Sequence, residues 1–492
     1  MNRMKRILAT LLASLMLLPT LAACGEVEDP ADTTPPSQST GNEEEGTILT
    51  DDLPADLKYN GEKITFISVN EMDYDDLTGD VVEDAVYERN KAVEERLGVE
   101  INVIREDTPI DKIVTAVNGG NSDYDVMVEM CWRAAPKFTG NYFYNLRNTE
   151  YLDFEKPWWN QSFTDVVTYN DITFGVTGAM VLSLYRRTYV TVFNKNLFTD
   201  ANQPFLYEHV ENGSWTLDKQ ASLVPLFHRD NGNAQKDMEG DIYGFVSNDF
   251  IFVDPYWASC EVEIIRKNND GEYEWVFESS ELHDMAEKVL ALYYGTGDAA
   301  YIEHDDYQAE QTVIKVFSGN FAAMSTMVIQ QLEDASIRNM SQEYGVVPIP
   351  KYSEDQKTYY SQMHDGFTIA SVPTTVQGER LNELSALLEA MGSSSYKMVR
   401  PVYYETTLRT KIAQDPQSSA MMDLIINNIY LDAGFVYSHS MQVNGQGFHQ
   451  TFQQLVADKN NDTASRFKSA TTMAQKGLRS LNRQLDRLTE QE

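Results

Sequence analysis

Apolar residues in the first part of the chain alternate between two rhythms. Ile64-Thr-Phe-Ile-Ser-Val69 is a short run of strand composition. Val82, Val86, Val93 and Leu97 then fall on one helical stripe, which Gly98 closes. Val99 to Ile104 predicts a second strand, and Ile110, Ile113, Val114 and Val117 predict a second helix ending at Gly119-Gly120. Asp125-Val-Met-Val128 predicts a third strand, so the order is βαβαβ. Parallel strands joined by right-handed crossovers bring their carboxyl ends to one edge of the sheet, where open α/β sheets bind ligands. Asn70 and Glu71, leaving the first strand, and Trp132 and Arg133, leaving the third, are therefore expected at a binding edge.

The middle of the chain mixes aromatic-rich loops with strands and helices, and no period of solenoid or propeller length recurs. Near the C-terminus, Leu478, Leu481, Leu485 and Leu488 sit at helical spacing, with Arg479, Arg483 and Arg487 on another face. This predicts a helix packed on a lobe.

The N-terminus has a different pattern. Arg3, Lys5 and Arg6 precede an apolar stretch from Ile7 to Leu18 and then small residues, the order of a secretory signal rather than of a spanning helix. The sequence that follows, Leu21-Ala22-Ala23-Cys24-Gly25, resembles the lipobox of bacterial lipoproteins, which implies that Cys24 is lipidated and becomes the new N-terminus. From Gly25 to Asp56 there is no Lys, Arg or aromatic residue, while Pro, Ser, Thr, Asp and Glu dominate. Such a segment buries too little apolar surface to order itself and reads as a tether.

Charge narrows the partners. The chain has 39 Lys and Arg against 75 Asp and Glu, a formal net charge of −36. Removal of residues 1–23 takes away Arg3, Lys5 and Arg6 and no acidic residue, so the processed chain is more negative still. A polyanion of this size is repelled by phosphate backbones and anionic lipid surfaces, which argues against nucleic acid and leaves the lipid on Cys24 as the membrane contact. After processing only Cys131 and Cys260 remain, too few for a disulfide scaffold, and both are expected to be reduced and unbridged. With 42% hydrophobic residues, so long a chain can bury a large core and is expected to split into two lobes.

The common catalytic signatures, His-Glu-x-x-His, Gly-x-Ser-x-Gly, a phosphate-binding glycine loop and Cys-x-x-Cys, are absent. Gly445-Gln-Gly447-Phe-His-Gln450 lacks the third glycine and the strand context of a dinucleotide site. The reading is a non-enzyme without cofactor or metal. A glycosidase would need only two carboxylates flanking a cleft.

An ordered set of short motifs extends over nearly the whole processed chain. After the lipobox come the stretch from Asn90 to Val103, Asp123-Tyr-Asp-Val-Met127, Lys156-Pro-Trp-Trp-Asn160 and Val192-Phe-Asn-Lys195. Gly213-Ser-Trp-Thr216, Tyr243-Gly-Phe245, Phe317-Ser-Gly-Asn-Phe-Ala-Ala-Met324 and Tyr344-Gly-Val-Val-Pro-Ile-Pro-Lys351 follow. In this order they resemble the bacterial extracellular solute-binding proteins of family 1, the group that includes maltose-binding protein.

The resemblance implies a type II periplasmic-binding-protein-like α/β fold, two α/β lobes joined by a hinge with the ligand cleft between them. It places a signal peptide at 1–23, a lipid-anchored linker at 24–56, lobe 1 at 57–178, lobe 2 at 179–365, a lobe 1 return at 366–412, and lobe 2 with the C-terminal helices at 413–492. It also implies a monomeric importer component that captures a carbohydrate, an oligosaccharide, and delivers it to ABC permease subunits. A surface sugar sensor or lectin is the alternative, followed by a glycan-degrading enzyme. In the cleft the resemblance sets Trp132 from lobe 1 against Asp254-Pro-Tyr-Trp257 from lobe 2, and adds Tyr256 and Tyr403 to the lining. Aromatic faces suit the C–H patches of a pyranose, and Glu71, Asp365 and Arg133 supply fixed acceptors and donors for its hydroxyls. Trp158, Trp159 and Trp215 are expected in core or lobe-edge packing. Where many relatives carry a calcium loop, Asp230 to Asp241 keeps the terminal aspartates but loses the glycine turn and the middle acidic ligand, so a solvated polar turn is expected.

Overall fold

The computed structural model describes residues 51–69, 72–74, 76–233, 238, 240–304, 307–412 and 415–490. The signal, Cys24, the linker to residue 50, and Asn70 and Glu71 lie outside the described residues.

The first sheet is built from β1 (Glu62–Ser68), β2 (Val99–Arg105) and β3 (Val126–Met130), with β1 parallel to both neighbours. Helices Val81–Leu97 and Pro109–Gly119 make the crossovers. The first starts where the Asp80 side chain accepts the amides of Val82 and Glu83, at 2.9 and 3.3 Å. It stops at Gly98, whose φ of 66° is left-handed and whose absent Cβ leaves room for the Tyr59 carbonyl. The helix and strand ends thus fall within a residue or two of where the apolar pattern places them.

The second sheet takes β4 (Tyr189–Asn194) and β5 (Tyr243–Asn248), then, after a small hairpin of β6 (Ile265–Lys267) and β7 (Tyr273–Trp275), β8 (Ala300–Glu303), β9 (Ala322–Val328) and β10 (Tyr344–Val347). Its order is β10-β4-β9-β5-β8. Every residue of β4, β5, β9 and β10 is buried, as expected of strands covered on both faces. The chain then forms β11 (Ser361–Gln362) and returns to the first sheet as β12 (Thr368–Ser371), antiparallel to β3, while β11 pairs with the later β13 (Ile429–Tyr430).

Two crossings join the sheets. The outward one, around Ser183 to Thr188, and the returning one, around Met363 to Thr368, lie side by side. The His364 amide donates to the Arg187 carbonyl at 2.8 Å, Thr188 pairs with Met363, and the Thr368 amide donates to Ser183 Oγ at 3.0 Å.

Helix Glu379–Pro401 packs on the Val81–Leu97 helix and runs on, directly after Pro401, as a π-helix over Val402–Ile412. Helix Pro416–Asn427 rests on β10. In the last helix, Thr463–Thr489, Leu478, Leu481, Leu485 and Leu488 are all buried. Its Asp486 accepts the Tyr169 hydroxyl at 2.7 Å and its Asn482 donates to the Tyr273 carbonyl at 2.8 Å. Trp158, Trp159 and Trp215 are core residues, and Cys131 and Cys260 are unbridged. No described helix is long and apolar enough to cross a membrane.

Candidate functional site

The exit of β3 is tied to the returning crossing. The Cys131 amide donates to the Phe367 carbonyl at 2.8 Å and the Trp132 amide to the Asp365 carbonyl at 3.2 Å. Backbone pairing therefore brings Trp132, Arg133 and Asp365 to one place. The Arg133 guanidinium lies 4.6 Å from the Trp132 ring centre, donates to the Asp107 carbonyl, and sits 3.6 Å from Glu129, whose carboxylate is buried. Trp132 is half-buried, with its ring against His439 at 5.5 Å between centroids.

Asp365 is the centre of a histidine cluster. Its carboxylate lies 3.2 Å from His364 Nδ1, 3.6 Å from His439 Nε2 and 3.9 Å from His449 Nε2. Three of the seven histidines of the chain thus surround one carboxylate. Burial works against a charge on Asp365, but the hydrogen bond from His439 and the adjoining His364 and His449 rings hold its carboxyl at about 2. Burial pushes the His449 ring down to about 3.

Asp254 lies near the same cluster. It is buried, and both its oxygens accept from Gln453 Nε2, at 2.8 and 3.0 Å. Burial, with Asp365 adding to it, pushes its carboxyl well above the usual range. Two acidic side chains close together are therefore pushed in opposite directions, Asp365 down and Asp254 up.

Gln453 carries the polar surface onward. It lines a cavity of about 250 Å³ with Asp249, His304, Gln446, Gln450 and Gln454, beyond the carboxyl ends of β5 and β8. Asp249 accepts from the Tyr294 hydroxyl at 2.9 Å and contacts His304 Nδ1 at 3.0 Å. Four glutamine amides and the Asp249 carboxylate at a strand-end cavity, beside Phe250, suit a ligand rich in hydroxyls.

Other expected cleft residues are placed elsewhere. Trp257 is 2% exposed and packs on Phe277, Phe448 and Phe452, so it presents no face to a cleft. Tyr256 is fully buried against Tyr293. The chain turns at Asp254 into the short helix Tyr256–Ser259, and that turn sends both rings inward. Tyr403 is also buried. Its hydroxyl donates to Glu333 at 2.6 Å, and Arg186 lies over its ring at 5.5 Å. Tyr256 and Trp257 are therefore core residues, and Tyr403 braces the outward crossing through Glu333 and Arg186. Asp241 of the degenerate loop accepts from the Asn231 amide and the Tyr243 hydroxyl, while residues 234–237 and 239 lie outside the described residues.

Sequence reasoning did not find His439, His449, Gln453, Asp249 or His304. A signal was available for one of them, since His449 falls inside the glycine-containing stretch whose dinucleotide role the sequence excludes.

No protein-family model matches the sequence, and no curated protein matches it. Solved structures do match in fold. The GacH receptor of Streptomyces glaucescens, determined unliganded and with acarbose and an acarbose homolog, is 13% identical with a TM-score of 0.55. An ABC transporter solute-binding protein from Thermotoga lettingae bound with alpha-D-tagatose is 16% identical with a TM-score of 0.52. An ABC substrate-binding protein from Listeria monocytogenes in complex with cycloalternan is 13% identical with a TM-score of 0.53. Each alignment covers 85% of this chain and 99% of the other. The chain therefore has the type II periplasmic-binding-protein fold, maltose-binding-protein-like, over nearly all its described length.

Proposed function

We propose that this chain is the extracellular solute-binding lipoprotein of an ABC importer, held to the membrane through Cys24, and that it captures an oligosaccharide between its lobes. The observation that carries this reading is the whole-length match to three binding proteins whose structures contain carbohydrate or a carbohydrate analogue. The site chemistry agrees with it. Trp132 lies at the carboxyl end of β3, beside Arg133 and Asp365, and the cavity beyond β5 and β8 offers glutamine amides and the Asp249 carboxylate. Asn70 and Glu71, which follow β1 in the sequence and lie outside the described residues, are included in the proposal as ligand contacts. Lobe closure would enclose the sugar, and the acidic surface would disfavour phosphorylated glycans.

The test is a glycan array with the purified full chain, followed by calorimetry on the glycans that bind. Saturable binding to one oligosaccharide class without release of reducing ends is expected. Failure of every glycan to bind, or turnover of a bound one, would overturn the proposal.

A further inference from the structure

The histidine cluster at the crossing has the composition and placement of a metal site, and neither the fold nor the proposed sugar capture requires one. We infer that Asp365, His439 and His449 bind one divalent first-row transition metal ion, with zinc as the simplest probe. One carboxylate oxygen and two imidazole nitrogens, Asp365 Oδ2 and the Nε2 atoms of His439 and His449, lie within 4.8 Å of one another. Ligand atoms held about 2.0–2.2 Å from a tetrahedral zinc stand roughly 3.3–3.6 Å apart. The 3.6 and 3.9 Å separations need to shrink by only a few tenths of an ångström around an ion, and the larger approach, up to about 1.5 Å, falls to the two imidazole nitrogens, which lie within 4.8 Å of each other.

Three further features fit. His449 Nδ1 is hydrogen-bonded to Ser438 Oγ at 2.8 Å, an outer contact that fixes the ring and leaves Nε2 facing Asp365. Gly447 makes the space, because a Cβ there would lie 3.2 Å from His439 Nε2, 3.2 Å from His449 Cε1 and 2.9 Å from Ser438 Oγ. His364 is excluded as a ligand through its nearer nitrogen, since Nδ1 already accepts the Gly366 amide at 2.8 Å. Two imidazoles and one carboxylate suit zinc, cobalt or nickel and do not suit the hard cations calcium and magnesium. Three protein ligands leave a fourth position for water.

The ligands come from separate segments. Asp365 belongs to the returning crossing, whereas His439 and His449 belong to the C-terminal segment that precedes helix Gln450–Ala457. The ion would pin that segment to the crossing beside the proposed sugar wall, which shares Asp365, so zinc binding is measured without sugar and the two readings fail separately.

The test uses the purified full chain, stripped with chelator, dialysed and titrated with zinc chloride in the absence of sugar, with bound metal measured by elemental analysis. One zinc per chain and a raised melting temperature are expected. His449→Ala should weaken zinc binding at least tenfold. Because His449 is buried and its variant risks misfolding, His439→Gln and Asp365→Asn, at more exposed positions, serve as independent arms with the same expected loss. His283→Ala, a histidine away from the cluster, should retain wild-type binding. Cobalt should give the intense visible bands of a tetrahedral site in wild type and lose them in His439→Gln. Absence of stoichiometric zinc, or its full retention by folded His439→Gln and Asp365→Asn, would overturn the site.

Discussion

Trp132 and His439 lie with ring centroids 5.5 Å apart and planes inclined by 44°. The contact joins the exit of β3 to the C-terminal segment and leaves Trp132 only half-buried. His439 and the Arg133 guanidinium, 4.6 Å from the ring centre, leave part of the indole exposed to a ligand. Trp132→Ala should therefore weaken carbohydrate binding by ~1–3 kcal/mol, roughly tenfold to hundredfold, with little change in stability. Calorimetry alongside denaturant unfolding checks both halves, and a variant that binds like wild type would remove Trp132 from the site.

Trp257 should behave in the opposite way. It is enclosed by Phe277, Phe448 and Phe452, so Trp257→Ala should cost about 3–5 kcal/mol of folding free energy. Any loss of binding should follow the loss of fold. Unchanged unfolding with weakened binding would return Trp257 to the cleft wall.

Glu389 makes stability depend on pH. It is buried in helix Glu379–Pro401 and accepts from Trp159 Nε1 at 3.0 Å, and burial pushes its carboxyl up from 4.5 to about 7. The folded state therefore holds this proton more tightly than the unfolded chain does. Its contribution, roughly 3 kcal/mol, is fully present below the ordinary value and is lost as pH rises through about 7. Glu389→Gln keeps an acceptor for Trp159 and carries no charge, so its stability relative to wild type should rise between about pH 5 and pH 8. Unfolding curves across that range decide the matter, and a constant difference between the two proteins would contradict it.

Gly244 cannot carry a side chain. A Cβ there would lie 1.9 Å from the Val224 carbonyl oxygen, which is backbone of helix Leu217–Phe227 and cannot swing away. Gly244→Ala should destabilise by at least the ~1–3 kcal/mol typical of overpacking. A melting temperature equal to wild type would show that β5 and this helix separate more easily than their packing implies.

Cys24→Ser should release the protein from membranes, because the lipid on that residue is the proposed anchor and no described helix is long and apolar enough to span. Fractionation after a high-salt wash is the measurement. Mutant protein that stays with the membrane would sink the lipoprotein assignment.

What the sequence determined by itself was local. The βαβαβ unit was legible because Val82, Val86, Val93 and Leu97 repeat at helical spacing and Gly98 and Gly120 supply the left-handed stops. The same periodicity marked the last helix through Leu478, Leu481, Leu485 and Leu488. The position of Trp132 and Arg133 just after β3 was legible because a strand exit follows directly from strand order. Trp257 was expected beside them on the cleft and lies in the core. Both tryptophans are the second residue of a four-residue helix that follows a strand, and nothing in the local pattern says which way a ring will point. That choice was made by Phe277, Phe448 and Phe452, which come from distant segments and close around one ring and not the other. The gathering of His439 and His449 on Asp365 is likewise a product of tertiary structure. These residues share no periodicity or motif spacing, and they meet only where the C-terminal segment folds back over the returning crossing and its imidazoles reach the Asp365 carboxylate.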